Sequence, residues 1–429
     1  MLVTSVDIVL NQWSSSFQPG INYAITFVRL VLDFRFTPEQ EQFRNELVAF
    51  CRRELPEGWI WRVGTSRYEE EVSTPAEEAF YREFQRKLGR SGLLSTWWPK
   101  EYGGLGRSKI ESAILRDELA YFGAPGLFGP TYELFVPLLL GMGAEEQKQR
   151  FLPPLARGEL IFCQGFSEPD AGSDLASLKS WASEYSDGWI LEGHKVWVSA
   201  ARICDHGFFL FRTDRSQIRH RGLSMFIVDM ATTGITRKTV YDLAGLPAWQ
   251  EVHFESVKVP KENLVGGINN GWQAAMYALN HERSGLVWLG TCRRALDRLV
   301  KYIKGNDILK NNLSIRERLA ALAVEVEVAR LACYYVASQQ DAGNIPVHEA
   351  SIAKILTCNS SKNLADDGLE IVGEPGLIDN GSVGAVFEGG FARTWLSYPM
   401  WVLGGGSLEI QKEVIARIGL ALPRLAEQS

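Results

Sequence analysis

The chain has 429 residues, 46% of them apolar and 22% charged, and 45 Lys and Arg against 51 Asp and Glu give a formal net charge of −6. That length accommodates two or three cores at about 100–200 residues per domain, and the acidic balance without a long basic run excludes a nucleic-acid binder. The six Cys (51, 163, 204, 292, 333 and 358) are scattered, with no Cys-x-x-Cys and no Cys/His ligand spacing, so a reducing, cytoplasmic setting and no metal site are expected.

Met1 to Leu32 holds three consecutive Ser, a Pro and an early Asp7 in place of a basic start. It fits neither a signal peptide nor a span of about 18–20 apolar residues, so no stable membrane insertion is expected. Residues 1–32 read as an extension outside the fold, translated from an upstream start. From 33 to 158 the pattern is helical. Thr37-Pro38-Glu39 opens a helix, and Phe43, Leu47, Phe50 and Cys51 recur at i, i+4, i+7 and i+8. Between 159 and 270 the period shortens. Trp189-Ile-Leu, Val196-Trp-Val, Phe208-Phe-Leu-Phe, Met225-Phe-Ile-Val and Val252 to Val259 are short β-rich runs between Gly, Asp and Pro turns. The last run alternates but slips near Ser256, which predicts a bulge. From 271 to 429 helices return: Gly271 to Ile303, Ser314 to Ser338, His348 to Ile371 and Ser407 to Ile418. Leu319, Leu322, Val326 and Ala329 give the stripe of a bundle helix. The expected fold class is α+β: an N-terminal helical domain, a middle small β-sandwich or barrel, and a C-terminal four-helix bundle.

Two segments carry the chemistry. Phe162-Cys-Gln-Gly-Phe-Ser-Glu-Pro-Asp-Ala-Gly-Ser-Asp174 is a turn whose small residues bring backbone N–H groups close to a ligand. Gly193-His-Lys-Val-Trp-Val-Ser199 is a strand that adds a flat apolar wall and a hydroxyl. Together they suit a planar heterocycle with a polar rim.

In this order the segments resemble the flavin-binding signatures of the acyl-CoA dehydrogenase family. The likeness runs from about residue 33 to 426 and includes Gly92 to Gly104, Gly143 to Pro153 and Val259 to Leu264. It implies FAD and the removal of two hydrogens from the Cα–Cβ bond of an acyl-CoA thioester. A base takes the α-proton while the cofactor, which no side chain can replace, accepts the hydride. Phe166 and Ser167 are implied at the flavin edge, Trp197 as its wall and Ser199 on its polar rim. Ser407 and Glu409 fall on cofactor-facing positions, and Ser173, Asn280 and Arg283 on substrate-binding ones. The resemblance further implies electron-transfer flavoprotein as acceptor and a tetrameric assembly.

The base is the point of departure. Ala275, Leu279, Glu282, Leu286 and Leu289 share one helical face, and a carboxylate in such a stripe reads either as a buried base or as half of an ion pair between helices. The segment Leu403-Gly-Gly-Gly-Ser-Leu-Glu-Ile-Gln411 has Gly405 where most relatives carry the catalytic Glu. A minority place the base at the position of Glu282, so Glu282 is the expected base. Asn306 stands where relatives carry an Arg that reaches a neighbouring subunit's FAD, with Lys304 or Lys310 as the nearby charges. Glu370 stands where they carry Gln. Both changes weaken the half-site offered to a neighbour, since a point-charge ammonium is no fork and a carboxylate repels a pyrophosphate. A plain homotetramer and a heterotetramer with a second, related subunit are both compatible, as are a degenerate supporting subunit and a flavin oxidase or monooxygenase on the same fold.

Overall fold

The computed structural model describes residues 35–59, 72–127, 129–282, 286–378 and 382–423. The N-terminal extension and Arg283 lie outside the described residues. Helix α1 (Pro38–Glu54) starts at a capping box: Thr37 Oγ1 accepts from the Gln40 N–H while the Gln40 side chain accepts from the Thr37 N–H. That satisfies otherwise orphaned donors, and Pro38 costs no hydrogen bond in the first turn. Phe43, Leu47, Phe50 and Cys51 are buried, as the periodicity predicts. Helices α2 (Pro75–Arg90) and α3 (Lys109–Phe122) open on the same device at Thr74 and Ser108. A π-helical turn, Pro130–Phe135, leads into α4 (Val136–Met142), and α5 (Glu145–Ala156) follows.

The middle region holds β1 (Phe162–Gly165), β2 (Trp181–Tyr185), β3 (Gly188–Ser199), β4 (His206–Arg212), β5 (Leu223–Asp229), β6 (Ile235–Val240), β7 (Trp249–Pro260) and β8 (Leu264–Val265). They form one sheet in the order β6-β7-β3-β2-β4-β5-β8, with β1 parallel to β4. The sheet folds over itself. Phe209 and Phe211 of β4 meet Phe254 of β7, and Trp189 of β3 meets Phe226 of β5. Alternation sends Phe208, Leu210, Met225 and Ile227 the other way, into a core shared with the N-terminal helices.

Two runs read separately, around Trp189 and Trp197, are one strand. β3 stays paired with β7 across two register shifts, between Leu191 and Gly193 and between Lys195 and Val198. The first shift faces Ser256, whose φ of 52° marks the slip that the broken alternation predicts. Gly193 is required there, because a Cβ would lie 2.0 Å from Ser180 Oγ.

Helices α6 (Gly271–Glu282), α7 (Leu286–Lys304), α8 (Asp307–Asn311), α9 (Leu313–Asp341), α10 (Val347–Val372), α11 (Gly390–Leu403) and α12 (Leu408–Val414) complete the chain. The long members α7, α9, α10 and α11 form the bundle around Leu289, Leu299, Val326, Cys333, Leu364 and Phe391. The expected helix from Gly271 to Ile303 is described as two segments, which serve different cores. Ala274, Ala275 and Ala278 join the core under the β domain, whereas Leu286 and Leu289 join the bundle core. Glu282 falls between these two sets, next to residues 283–285, and its side chain lies outside what the structure describes. Arg293 fastens α7 to the N-terminal helices by pairing with Asp117 (2.7 Å) and Glu118 (3.3 Å) of α3. Among the described residues no helix is long and apolar enough to cross a membrane.

Candidate functional site

The turn after β1 and the strand β3 are locked together by one buried ion pair. Lys195 Nζ, with its side chain fully excluded from solvent, donates to Glu168 Oε1 at 2.8 Å and to the Phe166 carbonyl at 3.2 Å. The Glu168 carboxylate also accepts from the backbone N–H groups of Lys179 (2.7 Å) and Ser180 (2.9 Å). Just beyond, the Val196 N–H donates to the Ser167 carbonyl at 2.9 Å. Burial pushes the Lys195 ammonium down to about 8 against the attraction of Glu168. Burial also opposes ionisation of Glu168, but the Lys195 charge and the converging donors win and hold its carboxyl below the usual range.

A carboxyl held low when folded contributes stability above the unfolded carboxyl's range and loses it as pH falls through the lower, folded value. Thermal unfolding of the wild type should therefore decline more steeply than that of Glu168→Gln as pH drops from about 5 to about 3. Parallel slopes in the two proteins would contradict the assignment.

The lock has a visible consequence at Trp197. At the second register shift its backbone takes φ 58°, and its side chain stands 51% exposed, edge-on to Trp249 at 6.2 Å. A Trp in the left-handed region costs about 1–3 kcal/mol, and such outliers persist only where surrounding structure over-determines them. Here the buried pair two residues before it and the β7 ladder after it do so. A flat ring laid against the indole would cover this apolar face, so the residues present fit a flavin. Ser199, half-buried, ends the strand opposite Trp249. Ser167 is half-buried, and Ser173 lies exposed on the same turn. The Phe166 ring is core, packed edge-on to Phe208, which leaves only its backbone for a ligand.

The remaining candidates lie on the helices. Asn280 is half-buried on α6, and Glu282 is the last residue of that helix that the structure describes. His281, between them, lines a pocket with Trp97, Lys109, Arg116, Glu133 and Leu286. Its Nδ1 lies 2.8 Å from the Tyr277 carbonyl. Burial, then the nearby Arg116, pushes the Lys109 ammonium down to about 6 although Asp341 opposes it. Arg116 pairs with Glu133 of the π-helical turn at 3.3 Å. π-turns of this kind are frequent at functional sites.

Ser407 is buried and caps α12, its hydroxyl accepting from the Ile410 N–H, while Glu409 is exposed in that helix's first turn. Gly405 and Gly406, at φ 65° and 89°, form a turn that side chains elsewhere would strain. Lys354 Nζ donates to the carbonyls of Gly404 and Gly406, and Gln411 Nε2 donates to those of Gly405 (3.1 Å) and Gly406 (3.0 Å). The bundle reaches the β domain through Ser397, whose hydroxyl donates to Asp242 Oδ2 at 2.8 Å, in the loop before Trp249. Both departures noted in the sequence have local partners. Asn306 caps α8 by accepting from the Ile308 and Leu309 N–H groups, and Glu370 pairs with Arg318 at 2.6 Å. Lys310 pairs with Asp307 on its own helix.

Sequence reasoning passed over Glu168 and Lys195, and over the pocket group of Trp97, Lys109, Arg116, Glu133 and His281. The available signal was weak. Lys and Glu rarely lie fully buried unless paired, so charges inside an otherwise apolar motif mark such a pair only once the strand register is known.

The helical–β–helical order with an exposed Trp197 on the middle sheet is compatible with a flavoprotein of dehydrogenase type. Family comparison makes this specific. The N-terminal, middle and C-terminal domain models of acyl-CoA dehydrogenases match residues 37–159, 163–257 and 269–420. The chain belongs to the acyl-CoA dehydrogenase family and is an oxidoreductase. It is 34% identical over 402 residues to acyl-CoA dehydrogenase FadE26 of Mycobacterium tuberculosis, covering 91% of this chain and 98% of that protein. Among solved structures it is similar to the Tcur3481-Tcur3483 steroid ACAD (TM-score 0.83, 29% identity, 92% of this chain and 100% of the other). It is similar too to the ChsE4-ChsE5 complex from Mycobacterium tuberculosis (TM-score 0.80, 31% identity, 92% and 100%).

Proposed function

We propose that the chain catalyses FAD-dependent α,β-dehydrogenation of an acyl-CoA thioester to a trans-2-enoyl-CoA, with Glu282 as the base. The observation that carries this reading is Trp197, turned outward at positive φ by a buried Lys195–Glu168 lock. Trp197, Ser199, Ser167 and the Phe166 backbone would hold the flavin ring, with Ser407 and Glu409 on its bundle side. When bound, FAD supplies the acceptor for the hydride leaving Cβ.

The chain's own part is to position substrate and to move the α-proton. Glu282 falls in the chain between residues of two apolar cores, and exclusion of water from its carboxyl would raise its affinity for that proton. Asn280 and Arg283 would grip the CoA portion, and Ser173 would help hold the substrate. Similarity to a steroid ACAD supports a steroid-derived acyl group as the substrate class.

Assembly with a second, related subunit is the preferred quaternary reading, and electron-transfer flavoprotein the preferred acceptor. Asn306 and Glu370 are engaged within their own chain, which supports a donated half-site that is poorer than the half this chain keeps. Similarity to two structures whose names join two components supports it as well.

Replacing Trp197 tests the flavin wall. Trp197→Ala should retain FAD about fivefold more weakly, as loss of roughly 1 kcal/mol of ring stacking implies. Equilibrium dialysis followed at the flavin absorbance reads this directly, and unchanged retention would count against the wall.

A further inference from the structure

The outer face of β3 and β7 gathers three metal-ligating side chains that the flavin site does not use. Successive strand residues point to opposite faces: Lys195 and Val252 enter the core, while His194, Glu251 and His253 lie half-buried on the outside. His194 stands directly across the ladder from His253, their rings stacked 3.9 Å apart at 16°. Glu251 Oε2 lies 3.4 Å from His194 Nε2 and 3.6 Å from His253 Nε2. The three ligand atoms all fall within 4.8 Å of one another. His194 Nε2 is closed off from solvent and has no hydrogen-bonding partner of acceptable geometry.

A tetrahedral zinc ion with ligands at about 2.0–2.2 Å holds its donor atoms about 3.3 Å apart. Two of the three separations are already close to that. We propose that His194, Glu251 and His253 form a binding site for a divalent transition cation, zinc above all, with a coordination position left for water. Two imidazoles and one carboxylate are the donors such borderline-soft ions take, whereas calcium and magnesium call for oxygen alone. The two rings need only turn about their outer torsions, which are soft in His, to aim at a common ion.

Strand β6 packs beside the cluster, with Thr236 opposite His253 and Lys238 opposite Glu251. Lys238 is thus the cation that would compete for the carboxylate. The sequence predicts no metal site because its ligands come from two strands far apart in the chain, and only Glu251-x-His253 is local. The ion would join β3 to β7 immediately before the register shift that turns Trp197 outward.

The test uses the tag-free, full-length chain, stripped with a chelator and titrated with zinc chloride against a chromophoric indicator. One zinc per chain is expected, and His253→Asn and Glu251→Gln should each weaken binding by about tenfold or more. Cobalt(II) in place of zinc should give the visible bands of a low-coordinate ion in the wild type. Absence of stoichiometric zinc and of those bands in the wild type would overturn the site, whether or not the variants fold. So would zinc binding of unchanged strength in both folded variants.

Discussion

Lys195→Met should destabilise the protein by about 3–5 kcal/mol, the cost of stranding one partner of a buried ion pair. The methionine fills the space of the lysine stem but leaves the Glu168 carboxylate buried with two backbone donors and no cation. It also frees the Phe166 carbonyl, which Lys195 Nζ holds at 3.2 Å. Turn and strand should loosen together, so bound FAD should fall along with the unfolding temperature. Adding Glu168→Gln to the same chain should recover much of the loss, because no uncompensated charge remains. Thermal unfolding combined with flavin absorbance checks both effects. A single variant that melts within a degree or two of the wild type would show that the pair is not what holds Trp197 outward.

Glu282→Gln should lower dehydrogenation by about a thousandfold, within the range expected when a general base is removed. The change keeps shape and leaves the Trp197 wall untouched, so FAD should stay bound and the protein should remain yellow. Dye reduction and flavin content measured on the same sample separate loss of the base from loss of the cofactor. Normal turnover in this variant would move the base elsewhere, with Glu409 on α12 the first alternative.

Much of this was legible in the sequence where local chemistry decides the outcome. Thr37 and Pro38 announce α1 because capping is a matter of neighbouring residues, and the stripe through Leu322, Val326 and Ala329 announces a bundle helix. The slip near Ser256 is legible because an extra residue breaks a strict alternation. The missed features depend on register between distant segments. β3 was read as two runs because Gly193 and the shift at Trp197 interrupt its pattern, although β7 carries the pairing across both. Helix α11 went unread, since Pro399 sits inside it and glycines precede it. The two motif segments were legible as a turn and a strand, but the Glu168–Lys195 pair that joins them was not. The His194–Glu251–His253 cluster was hidden for the same reason: nothing in either strand alone says which residues stand across the ladder.

The central claim is that this chain, in the assembly it forms, passes hydride from an acyl-CoA to FAD while Glu282 takes the α-proton. The most direct measurement is anaerobic mixing of the FAD-loaded protein, purified from its native host with any accompanying subunit, with a panel of linear, branched and ring-bearing acyl-CoAs. Flavin absorbance is followed and the product identified. Expected is bleaching of the flavin by at least one thioester, with one trans-2-enoyl-CoA formed per flavin reduced and no such reaction in Glu282→Gln. A flavin that stays oxidised with every thioester, or bleaches equally fast in the variant, would contradict it.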